Sequence, residues 1–112
     1  MVKTSIYEIE KWLTLESETP NLEFKEAKNQ ISEEDICKIC VALANEGGGN
    51  LVLGISDKPP RRVIGTKTVD NPLNAAERLH QILGFRVSIE IVNHTDKRIV
   101  IFHVPTRARG GA

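Results

Sequence analysis

Gly47, Gly48 and Gly49 stand next to each other in the stretch ANEGGGNLVLGISD, and glycine-rich turns are typical of phosphate-binding loops. A P-loop has the order G-x-x-x-x-G-K-[ST], and it places its lysine and hydroxyl at the start of a helix whose N-terminus holds the phosphate. Here the glycines follow a predicted helix that ends near Asn45, and neither Lys-Ser nor Lys-Thr comes after them. We therefore expect no ATP site. The pattern predicts a helix cap and a tight turn, whose additional glycines let another backbone, such as that of a nucleic acid, approach closely.

Basic side chains near two predicted loops are candidates for contacts with phosphate groups. Arg61 and Arg62 follow two prolines and predict an exposed basic loop, while Lys25 and Lys28 follow closely after Glu23. Side chains of this kind hold a nucleic-acid backbone without reading its sequence. Adjacent arginines in a loop are equally typical of a solvated surface, so both interpretations stay open. Only 4% of the residues are aromatic, which favours contacts with the backbone or with a duplex over base stacking.

Two cysteines and three histidines are the remaining candidates for site chemistry. Cys37 and Cys40 have the spacing of a redox pair, but they lie inside a predicted helix and not at its N-terminus, where the dipole would lower the pKa of a thiol. No second cysteine pair completes a zinc site, and His80, His94 and His103 show no ligand spacing. We interpret both cysteines as packing residues.

The composition, 40% hydrophobic and 27% charged over 112 residues, is that of a globular domain with zero net charge. The charge is unevenly divided, because residues 1–57 hold five Lys/Arg against eleven Asp/Glu and residues 58–112 hold ten against four. This division predicts either one acidic and one basic face or charges spread over the whole surface. No apolar run approaches the roughly 20 residues of a membrane span, and the first residues do not resemble a signal peptide. We expect a cytoplasmic protein without membrane contact.

Hydrophobic periodicity predicts an α+β fold: a single domain with a mixed β-sheet packed with two main helices plus a short N-terminal helix. The apolar stripe of the third helix is predicted to include Leu73. Residues 106–112 are predicted to form a mobile tail. The predicted helices cover residues 4–15, 32–45 and 71–83, and the predicted strands cover 21–26, 50–56, 86–93 and 97–105, with a brief return strand at 63–65.

Four pieces in a fixed order resemble the Schlafen-type AlbA-like domain: an E-F-K strand, a helix ending in A-N-E-G-G-G, the following N-L-V-L-G-I-S-D and a nearby Ile-Gly. The similarity runs from about Glu18 to Pro105, and the ordered set is more specific than any single piece. It implies an α+β fold with a mixed sheet and binding to DNA or RNA. Because such domains usually precede further regions, as in RecG-related proteins, residues 1–112 are expected to be the N-terminal domain of a longer regulator.

The resemblance implies a second candidate chemistry. RNA-cleaving Schlafens use three acidic residues for metal-dependent cleavage, and the matching positions are Glu18, Glu23 and Asp57. Clustered carboxylates are suitable ligands for Mg²⁺ or Mn²⁺, which can activate water for attack on a phosphodiester. Glu23 and Asp57 lie on or after neighbouring predicted strands, so pairing of these strands could bring both to one end of the sheet. Glu18 lies in a turn-like stretch, where a carboxylate is usually only solvated.

Several functions therefore stay open, and one is favoured. We expect the nucleic-acid-binding domain of a bacterial-type transcriptional regulator, with no chemistry of its own and no required cofactor. The alternative is an endoribonuclease in which Glu18, Glu23 and Asp57 hold Mg²⁺ or Mn²⁺. ATP-driven helicase chemistry is disfavoured because no P-loop is present. A module that only forms a homodimer is a further alternative.

Overall fold

The computed structural model describes residues 3–17 and 19–106. Its strands form one sheet in the order β1-β2-β4-β3, in which β1 runs parallel to β2 and the other neighbouring pairs are antiparallel. This arrangement confirms the predicted α+β fold with a mixed sheet. The elements are α1 (Ile6–Leu13), β1 (Leu22–Lys25), α2 (Glu33–Asn45), β2 (Gly49–Leu53), α3 (Pro72–Leu83), β3 (Ser88–His94) and β4 (Lys97–Val104).

The sheet is covered on both faces, because successive side chains of a strand point to opposite sides. One face carries a fully buried cluster to which α2 contributes Cys40 and α3 contributes Leu79. On the other face, Ile9 of α1 is completely buried against Val52 and Ile101 of the central strands. The result is three layers, with α1 on one side of the sheet and the two longer helices on the other.

The residues that begin and end the two longer helices act as the sequence predicts. The Ser32 hydroxyl accepts a hydrogen bond from the Asp35 amide at the start of α2. α3 begins after Asn71, has proline at its first position and ends at Gly84 in the left-handed conformation, with φ +82°. The prediction that Leu73 belongs to the buried stripe is wrong, because its side chain is 81% exposed. Six residues separate it from the buried Leu79, and at about 100° per residue it lies about 120° away around the helix.

A tight turn connects β3 to β4, whereas helices lie in the connections between the other consecutive strands. Thr95 and Asp96 both have positive φ, 47° and 65°, and form the two-residue hairpin turn between β3 and β4. The predicted return strand at 63–65 is present as a single bridge between Ile55 and Val63.

The predicted tail lies outside the described residues except for Thr106. Within residues 3–17 and 19–106, no helix is long and apolar enough to cross a membrane.

Candidate nucleic-acid interface

The glycine turn ends α2 as the sequence predicts. Asn45 is the last residue of the helix, and Gly47 follows the cap residue with a left-handed φ of +97°. The Gly48 amide donates to the carbonyl of Leu43 at 2.8 Å, which satisfies one of the carbonyls left free at the helix end. These contacts account for the first two glycines as a helix cap.

Gly48 and Gly49 also allow another backbone to approach closely, but this backbone is the protein's own. A Cβ on Gly48 would lie 2.9 Å from the carbonyl oxygen of Val104, and one on Gly49 would lie 2.1 Å from that of Asn21. The Asn21 amide group also donates to the carbonyls of Glu46 and Gly48, at 2.9 and 2.7 Å. The glycine turn thus packs the end of α2 against the start of β1 and the end of β4. Packing within the protein therefore accounts for the three glycines.

The basic loop after the two prolines has only one exposed arginine. Arg62 is exposed, but the prediction of an exposed Arg61 is wrong, because only 6% of Arg61 is accessible. Its guanidinium lies over the ring of Phe24, 4.4 Å from the centroid, and donates to the carbonyls of Leu15 and Asp57 at 3.2 and 2.9 Å. A stacked, hydrogen-bonded arginine can be buried because each of these contacts replaces water. Arg61 therefore links this loop to β1 and to the segment after α1.

The three acidic candidates are only partly described. Glu18 lies outside the described residues. Glu23 is half-buried on β1 and lies 3.9 Å from the ammonium of Lys25, while Asp57 is exposed beyond the end of β2. The parallel register pairs Glu23 with Leu51, six positions before Asp57, so strand pairing alone does not place these two carboxylates side by side. Among residues 3–17 and 19–106, no three His, Cys, Asp or Glu side chains are grouped closely enough to hold a metal ion.

Basic residues from three separate segments converge on one cleft of about 520 Å³. Lys28 comes from the segment after β1, Lys67 from the loop before α3, and Lys97 and Arg98 from the start of β4. Asp70 is the one carboxylate among the described residues that line the cleft. We call this site the basic cleft. Phosphate groups are attracted to such a concentration of positive charge.

Two of the remaining predicted basic residues lie near the basic cleft. Lys25 lines a neighbouring groove of about 450 Å³, whose charges are mixed because Glu26, Asp35 and Lys38 also line it. Arg62 precedes Val63, whose carbonyl accepts a hydrogen bond from Lys97 Nζ at 3.4 Å. The sequence does not predict that Lys67 and Lys97 lie in one group with Lys28. They are 30 or more residues apart along the chain, so no local spacing signals their proximity.

Two histidines, also without a sequence signal, pair with carboxylates on the side of the sheet that α1 covers. His103 Nε2 lies 2.7 Å from Glu90 Oε1, and His94 pairs with Glu10 of α1. Burial on its own would raise the pKa of Glu90, but hydrogen bonds from His103 and from the side chain and amide of Thr4 outweigh it and lower that pKa. The His94–Glu10 pair and the hydrogen bonds between Thr4 and Glu90 connect the N-terminal segment to β3, while the His103–Glu90 pair joins β4 to β3.

The two cysteines are unsuited to redox chemistry. Cys40 is completely buried, and desolvation together with the nearby Cys37 raises the pKa of its thiol to about 12. Burial also raises the pKa of Cys37, and the negative charge of Glu33 raises it further by a smaller amount. A thiol that stays protonated is a poor nucleophile, so packing accounts for this pair.

Comparison with known proteins agrees with this architecture. The family model described as Schlafen, AlbA_2 matches residues 18–110. The N-terminal domain of a RecG-related protein from Nitrosomonas europaea has a TM-score of 0.60 at 20% identity, over 81% of this chain and 66% of that one. The DIP2311 protein from Corynebacterium diphtheriae has a TM-score of 0.55 at 19% identity, over 92% of this chain and 26% of that one. This chain therefore spans about two thirds of the first structure and about a quarter of the second. No curated protein matches it.

Proposed function

Because this chain belongs to the Schlafen AlbA_2 family, we propose that it is a nucleic-acid-binding domain that holds the phosphate backbone of DNA or RNA in the basic cleft. The observation that carries this proposal is the convergence of Lys28, Lys67 and Lys97 from three segments on one concave surface. Arg62 and Lys25 extend the contact at its edges. We place the domain in a transcriptional regulator, where it binds without a cofactor and without cleaving its ligand.

The charge distribution reconciles this function with zero net charge. The cleft groups four cationic side chains with one carboxylate, while most acidic residues belong to the first half of the chain. Each neutralised phosphate of a duplex lowers the logarithm of the binding constant by about 0.9 per tenfold rise in salt. Contacts by three lysines therefore predict a slope of about −2.7, which is a loss of about 40-fold between 50 and 200 mM salt.

Fluorescence anisotropy tests the proposal with labelled duplex DNA, single-stranded DNA and an RNA hairpin, each at several salt concentrations. We expect Lys67→Ala and Lys97→Ala each to weaken binding and to reduce the salt slope by about one. Lys11→Ala is the matched control, since this lysine is on α1 and does not line the cleft. Equal losses in all three variants would contradict a site at the cleft.

The same samples distinguish binding from cleavage. Each mixture is incubated with and without Mn²⁺ and then separated on a denaturing gel. We expect intact nucleic acid in every lane. Metal-dependent cleavage that disappears in Glu23→Gln would overturn the proposal in favour of an endoribonuclease that uses Glu23 with Glu18 and Asp57.

A further inference from the structure

One guanidinium, that of Arg98, contacts three carbonyls of the loop at residues 66–69, which carries Lys67 into the basic cleft. Arg98 Nη1 donates to the carbonyl of Thr66 at 3.2 Å and also to that of Thr68, and its Nη2 donates to the carbonyl of Val69. The planar fork of arginine suits this arrangement, because it can serve several acceptors at fixed angles. Both terminal nitrogens are therefore engaged by the protein itself.

The same loop is fastened to the segment that carries Lys28. The hydroxyl of Thr66 donates to the carbonyl of Ala27 at 2.6 Å, and the amide of Lys67 donates to the carbonyl of Lys28 at 2.9 Å. The amide of Thr66 in turn donates to the carbonyl of Arg98 at 2.8 Å. Lys28 and Lys67 thus reach the cleft from two backbones that are hydrogen-bonded to each other.

The conformation of this loop needs outside support. Val69 has φ +60°, a value that a β-branched side chain rarely adopts, and Ala27 has φ +39°. Backbone in such sparsely populated conformations persists only when its surroundings hold it, and it is concentrated at functional sites. Here Arg98 holds the carbonyl of Val69 and the Thr66 hydroxyl holds that of Ala27.

We propose that Arg98 is a positioning residue, which sets the 66–69 loop so that Lys67 and Lys28 together bind one stretch of nucleic-acid phosphate. This inference rests on the proposed function of the basic cleft. It divides the four cations by role: the guanidinium donates to three backbone carbonyls, whereas the lysines contact phosphate, Lys97 with the N–H groups that its single bond to the Val63 carbonyl leaves free. Arg98→Lys keeps the charge but replaces the planar fork, which serves the three carbonyls through two separate nitrogens, with a single ammonium nitrogen. A positioning role and a direct charge contact therefore predict different results.

A double-mutant cycle separates the two roles, with anisotropy and a labelled duplex at about 100 mM salt. We expect Arg98→Lys to weaken binding by about as much as Lys67→Ala does, roughly 3- to 10-fold. Lys67→Ala should then add less than 2-fold in the Arg98→Lys background, because the lysine is already misplaced. Lys97→Ala is the matched control, since the antiparallel ladder with β3 sets its backbone, and its effect should be undiminished.

Two results would overturn the inference: binding by Arg98→Lys that equals wild-type binding, or full additivity with Lys67→Ala. Thermal melting establishes whether each variant is folded. If Arg98→Lys does not fold, Thr66→Val, which removes the hydroxyl bond to Ala27, replaces it in the cycle, and Thr66→Ser should restore binding. Failure of Thr66→Val to couple with Lys67→Ala would likewise refute a positioned loop.

Hydrogen exchange of the Lys67 amide supplies a readout that does not depend on the ligand. This amide donates to the carbonyl of Lys28, so release of the loop by Arg98→Lys should speed its exchange at least tenfold relative to core amides of β4. Unchanged exchange would overturn the positioning role even if nucleic acid binds. Faster exchange in a protein that binds no nucleic acid would support the positioning of the loop and reject the proposed function.

Discussion

Replacement of Arg61 tests whether this arginine supports the fold or contacts nucleic acid. The guanidinium lies 4.4 Å from the centroid of Phe24 and donates to the carbonyls of Leu15 and Asp57. A desolvated cation–π contact contributes about 2 kcal/mol, and each hydrogen bond contributes about 1 kcal/mol net. Arg61→Ala should therefore lower the free energy of unfolding by about 3–4 kcal/mol.

For a chain of 112 residues, an unfolding entropy of about 2.1 cal/mol/K per residue converts this loss into a Tm lowered by about 13–17 °C. Urea unfolding and thermal melting, both followed by circular dichroism, measure the two quantities. Arg62→Ala is the matched control: its side chain is exposed, so its stability should stay within about 0.5 kcal/mol of the wild type while its binding weakens. An Arg61→Ala variant with wild-type stability and lost binding would refute the structural role.

Three further predictions concern other parts of the fold. The lowered pKa of Glu90 means that its carboxylate stabilises the protein at pH values above the ordinary carboxyl pKa, about 4.3, and that this contribution is lost as the pH falls through the lower pKa of the folded state. In urea unfolding, the difference in the free energy of unfolding between wild type and Glu90→Gln should therefore decrease from pH 7 to pH 3. A difference that does not change with pH would contradict this role of Glu90. Gly49→Ala should cost about 3 kcal/mol or more, since its Cβ would lie 2.1 Å from a backbone carbonyl oxygen and overpacking of this severity lies at the upper end of the usual cost. Gly47→Ala, which has open space but a positive φ, should cost about 1–2 kcal/mol. Equal melting temperatures for these two variants would show that the close approach is absent. Leu73→Ala should change the free energy of unfolding by less than about 0.5 kcal/mol, against about 2–5 kcal/mol for Leu79→Ala, and a large loss at Leu73 would indicate an additional contact that buries it.

The helices and strands of this protein can be predicted from its sequence because the interactions that begin and end them connect residues only a few positions apart. Ser32 and Asn71 accept hydrogen bonds from amides three residues later, and Gly84 ends its helix with a positive φ. Each of these interactions spans a few residues, so its chemistry can be read from neighbouring letters. The apolar periods likewise identify the helices and strands and, with them, the α+β class.

The role of each charged residue is less predictable, because burial depends on packing between distant segments. Arg61 and Arg62 are adjacent and chemically identical, yet the first lies over the ring of Phe24 and the second faces solvent. The difference comes from the tertiary contacts of the loop, which place only one of the two side chains against an aromatic ring. No pattern along the chain distinguishes a cation that stacks from one that is solvated.

The sequence by itself determined the helices and strands, the caps that bound them and the family to which the chain belongs. The tertiary structure alone decided what the glycine turn touches and which cations share a cleft. Position 49 must be glycine because the backbone of Asn21, 28 positions earlier, leaves no room there for a Cβ. Lys28, Lys67 and Lys97 come together only in the folded protein. Hydrogen bonds of the helix and its caps connect near neighbours, whereas a site is made by side chains that folding brings together from far along the chain.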